Sequence, residues 1–389
     1  MTDIGSLRIQ RFGTSVFTEM SRLATEHQAI NLGQGFPDFA GPDFVKDAAA
    51  RAIAADHNQY APSHGTPRLR RAIAADWAAR FGREIDPDSE VTVTTGATEA
   101  LFAAMIAFID PGDEVVFFEP FYDGYVADVV MAGGIPRVVR LNPPDWSFDE
   151  DELRAVLNPR TRVLLLNTPH NPTGKVFQRA ELELIASLCV EHDIIILSDE
   201  VYDRIVFDHH EHVPIALLPG MFERTLTINS TGKTFSMTGW KIGYTVGPAA
   251  LNAALRSVHQ FVVFATATPF QEAMAEAIEQ AGARGYYQEL RDGYAERRDR
   301  LRAALGDAGL PPLDCQGSYF LMADITTWGF SEDIAFCRYL TRDVGVAAIP
   351  PSAFYLDPAT APPLARFCFA KQLATIDAAA ERLLSARPR

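Results

Sequence analysis

Five short runs of this chain, at residues 114–118, 137–141, 163–167, 194–198 and 225–229, are dominated by β-branched and aliphatic side chains, and several have no polar face. A strand solvated on one side alternates apolar with polar residues, so a run that is apolar throughout must be covered on both faces. Around these runs lie longer stretches with helical spacing, at 43–56, 67–81, 98–108, 179–192, 249–264 and 288–308. Strands that alternate with helices imply crossover connections, and therefore a mostly parallel sheet between helices. In such α/β sheets ligands collect at the carboxyl ends of the strands. The residues that follow each apolar run are therefore the first place to look for chemistry.

Beyond about residue 290 the pattern changes to helices around short strands at 319–323, 346–349 and 366–370, which predicts a second, smaller domain. The length of 389 residues suits two domains. A net charge of −15 argues against nucleic acid or an anionic membrane as partner, since both need a basic field. It leaves room for a local basic pocket that takes a small anion. Cys189, Cys315, Cys337 and Cys368 form no CxxC pair and sit mostly in apolar runs, as reduced core thiols of a cytoplasmic protein do. Residues 1–10 carry no apolar signal core, and no run of about 18 apolar residues exists to span a membrane.

The strongest local signal follows the run at 225–229: Ser230-Thr231-Gly232-Lys233-Thr234-Phe235-Ser236-Met237-Thr238-Gly239-Trp240-Lys241. Small residues on both sides of Lys233 let a bulky group approach it. A lysine that is desolvated, or crowded by a cation such as Lys241, loses its proton and can attack an aldehyde. Gly232-Lys233-Thr234 also resembles the tail of a nucleotide-binding P-loop, but that motif needs a glycine at 227, which is Thr227. The run at 194–198 ends in Asp199-Glu200-Val201-Tyr202. A carboxylate at the end of a buried strand costs free energy unless it meets a cation. A pyridinium nitrogen would serve, while a helix N-cap is the plain alternative. Tyr202 could donate to a ring oxygen, and Glu200 reads as structural.

Other segments carry weaker signals. Thr168-Pro169-His170-Asn171-Pro172-Thr173-Gly174 is a rigid turn that offers the Asn171 amide. Thr95-Gly96-Ala97-Thr98 turns from a strand into an apolar helix, whose first N–H groups and dipole suit a phosphate. Tyr122 follows the run at 114–118, placed to stack on a flat heterocycle or to pack in the core. Arg366 beside an apolar strand calls for an anion, either a ligand carboxylate in bidentate geometry or a structural salt bridge. The cluster Asp208-His209-His210-Glu211-His212 has no regular ligand spacing and reads as a solvated loop, so no metal is expected.

Taken together, and with Asn31-Leu32-Gly33-Gln34-Gly35-Phe36-Pro37-Asp38-Phe39 and Gln316-Gly317-Ser318-Tyr319-Phe320, these segments resemble the class I/II aminotransferases typified by aspartate aminotransferase. Within them the chain is most similar to the group of kynurenine/glutamine transaminase K and bacterial methionine aminotransferase. The resemblance covers nearly the whole chain and implies that family's fold: a large domain with a mostly parallel seven-stranded sheet between helices, and a smaller α+β domain. It places the amino-terminal arm and part of the small domain at 1–45, the large cofactor domain at 46–289 and the rest of the small domain at 290–389. It implies pyridoxal 5'-phosphate (PLP) as cofactor, with Lys233 as Schiff-base lysine and proton carrier and Asp199 on the pyridinium nitrogen. Asn171 and Tyr202 would hold the ring hydroxyl, and Tyr122 would stack on the ring. Gly96, Ala97, Thr98, Ser230 and Lys241 would bind the phosphate, joined by Tyr60 of the other subunit of a homodimer with shared active sites. Arg366, with Gly35 and Asn171, would hold the substrate carboxylate, and Phe17, Phe264 and Phe354 would line the side-chain pocket.

The function implied is transfer of the amino group of a hydrophobic, sulfur-containing or aromatic L-amino acid to a 2-oxo acid in a ping-pong cycle. Two rivals stand beside it. A β-lyase acting on cysteine S-conjugates would share the early steps. A non-catalytic PLP-binding regulator would carry an extra DNA-binding domain, for which this chain has no room.

Overall fold

The computed structural model describes residues 5–387, apart from positions 7, 11, 14 and 15. The stretch read for a signal therefore lies partly outside the described residues. Seven strands form the central sheet: β1 (Val91–Thr95), β2 (Glu114–Glu119), β3 (Ile135–Arg140), β4 (Thr161–Asn167), β5 (Ile195–Asp199), β6 (Thr225–Ser230) and β7 (Ile242–Val246). Their spatial order is β1-β7-β6-β5-β4-β2-β3. All run parallel except β7, which is antiparallel to both neighbours.

Burial explains the uninterrupted apolar runs. In β4, Leu164 and Leu166 enter one core with Val116, Phe118 and Ile196. Val163 and Leu165 enter another with Val115, Phe117 and Leu197. Successive side chains of one strand thus supply two separate cores, one on each face.

A further core joins the two ends of the chain. Met20 and Leu23 of the helix Val16–Glu26, together with Leu32, pack with Leu301, Leu305, Phe336, Ile376 and Leu383. Small sheets tie the same region together: Ile30–Asn31 pairs in parallel with Val346–Ala347, and Phe320–Asp324 pairs antiparallel with Leu364–Cys368.

Topology brings the motifs to one edge. Asn167 and Asp199 are register partners at the carboxyl ends of β4 and β5. Thr95 ends β1 and Ser230 ends β6. Because β7 runs the other way, Lys241, which immediately precedes it, arrives at the same edge.

Candidate active site

The lysine turn is built by its own small residues. Ser230 ends β6 and caps the helical turn Thr231–Thr234, its hydroxyl accepting from the Gly232 N–H at 3.2 Å. The Thr231 hydroxyl donates to the Ile242 carbonyl at 2.9 Å, pinning the turn to β7. Lys233 projects from this turn into a cavity of about 400 Å³. Its Nζ donates to the Tyr319 hydroxyl at 2.7 Å. Burial pulls the lysine down to about 8, with Lys241 and Arg366 pushing the same way and Cys368 and Asp199 opposing. The neutral, nucleophilic amine is thus populated near neutral pH.

Asp199 faces the same cavity. Its Oδ2 accepts from the Tyr125 hydroxyl at 2.7 Å, and its Oδ1 accepts from the Val201 N–H at 3.3 Å. No helix begins there, so the N-cap alternative is not what the residue does. Burial raises its carboxyl to about 6, against the pull of Tyr125, Val201 and Lys233. Glu200 points elsewhere, accepting from Ser198 at 2.8 Å and pairing with His212 Nε2 at 2.7 Å. This corrects the reading of residues 208–212 as a wholly solvated loop, because the His212 side chain is buried. No metal-binding cluster occurs among the described residues.

On one side of the lysine lies a cradle. The helix Gly96–Phe108 begins at the end of β1, with Gly96 at φ +74°. Lys241, itself left-handed at φ 54°, sends its Nζ to the Thr98 hydroxyl at 3.2 Å. Packing here is close: a Cβ on Gly243 would sit 2.4 Å from the Gly96 carbonyl carbon. Gly243→Ala should therefore overpack the cradle at a cost of about 1–3 kcal/mol. The expected result is a lower thermal midpoint and weaker binding of inorganic phosphate by calorimetry. Wild-type values for both would show that the strand yields without consequence.

On the other side lies Arg366, in the strand Leu364–Cys368 and 1% exposed. It donates to Asn171 Oδ1 at 3.1 Å and to the Gly33 carbonyl at 3.0 Å, while its Nε is buried without a partner. The rings of Phe320, Phe354 and Phe17 surround the guanidinium, with centroids at 4.1, 5.0 and 5.2 Å. Burial lowers it to about 10. Asp123 also faces the cavity, its carboxyl raised by burial and drawn back by Arg366.

Phe17, Gly35, Gly96, Ala97, Thr98, Tyr122, Asn171, Asp199, Tyr202, Ser230, Lys233, Lys241 and Arg366 all line this one cavity. Phe354 lies buried beneath Arg366. Tyr60 and Phe264 stand apart on the outer surface, 84% and 50% exposed, with their rings edge to face at 5.2 Å.

A family model for class I and II aminotransferases matches residues 27–383. The chain belongs to the class I and II aminotransferases. This aminotransferase is 44% identical to a methionine aminotransferase of Escherichia coli, over 97% of each chain. It is 42% identical to a kynurenine–oxoglutarate transaminase of Dictyostelium discoideum, over 97% of this chain and 95% of that one. A solved N-succinyldiaminopimelate aminotransferase from Mycobacterium tuberculosis, 46% identical, superposes with a TM-score of 0.94 over 98% of this chain and 99% of that one. The aspartate aminotransferase-like fold expected from the sequence is the fold observed, and solved aspartate aminotransferases share it.

The family depends on PLP, and the cavity of this aminotransferase fits that group. A buried lysine suits an aldehyde, and a buried carboxylate suits a protonated ring nitrogen. The glycine-bounded helix start with Lys241 suits a phosphate, and the unpartnered Arg366 Nε suits a substrate carboxylate. Sequence reasoning missed four of the residues assembled here. Tyr125 lies three residues beyond Tyr122, in the first turn of the helix Gly124–Met131; Asp123 sits beside Tyr122, and Tyr319 and Phe320 were quoted only as part of a motif.

Proposed function

We propose that this aminotransferase holds pyridoxal 5'-phosphate on Lys233 and moves the amino group of a hydrophobic, sulfur-containing or aromatic L-amino acid to a 2-oxo acid. The observation that carries the reading is the convergence of Lys233, Asp199 and Arg366 on one cavity of about 400 Å³. When bound, the cofactor supplies an electron sink for the pair left behind when the donor's α-proton departs. Asp199 keeps the ring nitrogen protonated. Asn171 and Tyr202 hold the ring hydroxyl, and Tyr122 stacks on the ring. Gly96, Ala97, Thr98, Ser230 and Lys241 hold the phosphate. Arg366, with the Gly35 backbone beside it, fixes the donor's α-carboxylate. Lys233 Nζ, once free, takes the proton from the α-carbon.

The enzyme is further proposed to be a cytoplasmic homodimer. Four free, buried thiols support the compartment, and no described helix is long and apolar enough to cross a membrane. Tyr60 and Phe264 pack ring to ring on the surface, with Phe261 and Val262 exposed close by in sequence, apolar groups that a second copy would cover. Tyr60 would then reach the partner's phosphate, and Phe264 the partner's substrate pocket.

Donor choice follows from what surrounds Arg366. Phe17, Phe320 and Phe354 are apolar, and Asp123 adds a negative wall. An aspartate side chain would bury a carboxylate with no cation of its own, at a cost of several kcal/mol. The expected kcat/KM for methionine or phenylalanine is at least roughly tenfold that for aspartate, about 1.4 kcal/mol. Arg366→Ala should weaken all donors together, and Phe17→Ala and Phe264→Ala should change their ranking. The solved relative that acts on N-succinyldiaminopimelate favours a second reading, an extended acidic donor. A donor panel decides between them: acidic donors at the top of the ranking would overturn the apolar reading.

A further inference from the structure

Tyr319 is fully buried and begins the segment that leads into the strand Phe320–Asp324. Its hydroxyl accepts from Lys233 Nζ at 2.7 Å and donates to the Gly35 carbonyl at 2.5 Å. A phenol has one proton, and a carbonyl can only accept. The Tyr202 hydroxyl is also within reach, but a proton sent there would leave the Gly35 carbonyl facing a bare lone pair at 2.5 Å, so the Tyr319 proton goes to Gly35 and its lone pairs are left to face the lysine. The committing carbonyl is itself held in place. Lys371 Nζ donates to the Gln34 carbonyl at 3.3 Å and to the Phe36 carbonyl at 2.8 Å, one on each side of Gly35. The ring cannot swing away, because Tyr202 meets it edge to face at 5.0 Å and Tyr294 packs at 6.0 Å.

We propose that Tyr319 is a positioning residue for transamination: an acceptor locked by the Gly35 carbonyl, it holds the Lys233 amine by one N–H whenever that amine is free. Held so, the amine keeps its lone pair directed away from the phenol and toward the cavity where the donor's α-carbon sits. The bond also favours the ammonium form, so the lysine keeps the proton it has taken long enough to hand it on. The inference rests on the cofactor reading above, in which Lys233 is the proton carrier.

Asp199, Lys241, Arg366, Cys368 and Tyr202 also face the amine. All of them remain in Tyr319→Phe, which keeps the ring and removes only the oxygen. The test uses cofactor-free protein, treated with trace acetic anhydride across a pH series. Acetylation of Lys233 is read by peptide mass spectrometry, with Lys241 as internal comparator. In Tyr319→Phe the apparent pKa of Lys233 should fall by roughly one unit, the size expected for loss of one bond to a charged donor. Lys241 should not move. Replacing Tyr319 by 3-fluorotyrosine, which preserves shape but weakens the oxygen as an acceptor, should give a smaller shift of the same sign. In the loaded enzyme, Tyr319→Phe should lower kcat about tenfold or more while the donor KM stays within about twofold, since Tyr319 bonds the lysine and Lys371 still holds the backbone on both sides of Gly35. An unchanged or raised Lys233 pKa in both variants would overturn the proposal. Failure of borohydride to mark Lys233 in the wild-type holoenzyme would instead remove the cofactor reading, and the labelling result separates the two.

Discussion

Lys233→Ala is expected to lose transamination by roughly a thousandfold or more. In the proposed mechanism one side chain would supply both the covalent anchor and the moving proton, and general acid–base catalysis alone accounts for about 10²–10⁴. Among the described residues no neighbouring lysine is placed to substitute. Lys241 reaches the same cavity, but its Nζ is engaged with Thr98 at the helix start. Lys241→Ala should therefore weaken phosphate binding and leave the chemistry running. The Lys233→Ala protein should fold and bind the cofactor through its phosphate contacts, yet fail to interconvert a donor and an oxo acid in a single turnover. A near wild-type rate would sink the proposed mechanism.

Asp199→Ala is the second large effect. The carboxyl is 5% exposed, and burial has already raised it to about 6, so it is poised to gain from a cationic partner. Removing it strands the Tyr125 hydroxyl and, in the proposed mechanism, would leave the ring nitrogen without a counter-charge. The expected pattern is a fall in kcat of about a hundredfold or more with little change in donor KM, the mark of an interaction made mainly in the transition state. Asp199→Glu keeps the charge but displaces it by one methylene, so partial activity should remain. Tyr125→Phe removes a single bond to the carboxylate, worth about 1.5–3 kcal/mol at most, and should fall between the two. Normal turnover by Asp199→Ala would mean that the carboxylate serves only the turn it caps at Val201.

The sheet was legible because burial on both faces leaves a mark in the sequence. The runs at 163–167 and 225–229 lie within β4 and β6, and the run at 194–198 lies one residue from β5. The run at 137–141 begins two residues inside β3, which takes in Pro136 because β3 lies at the sheet edge, where a missing N–H costs no ladder bond. β7 was not read as a strand at all. Gly243 weakens its apolar pattern, and the reason for that glycine, close contact with Gly96, is visible only in three dimensions.

Within the site, residues that follow strands were findable, because topology gathers strand ends. Partners that act through another side chain were not. Tyr125 serves Asp199 from 74 positions away, Tyr319 serves Lys233 from 86, and neither spacing leaves a local signal. His212 was misjudged for the same reason, since its role is set by Glu200, a buried carboxylate that needs a partner. Tyr60 and Phe264 lie outside the cavity of their own chain, where a shared-site dimer would put residues meant for its partner.

The central claim is tested most directly by reducing the PLP-loaded enzyme with borohydride and mapping the pyridoxyl group by peptide mass spectrometry. The expected result is loss of the yellow colour and one pyridoxyl group per chain, carried by the peptide that contains Lys233. A label on Lys241 or another lysine, or none at all, would contradict it.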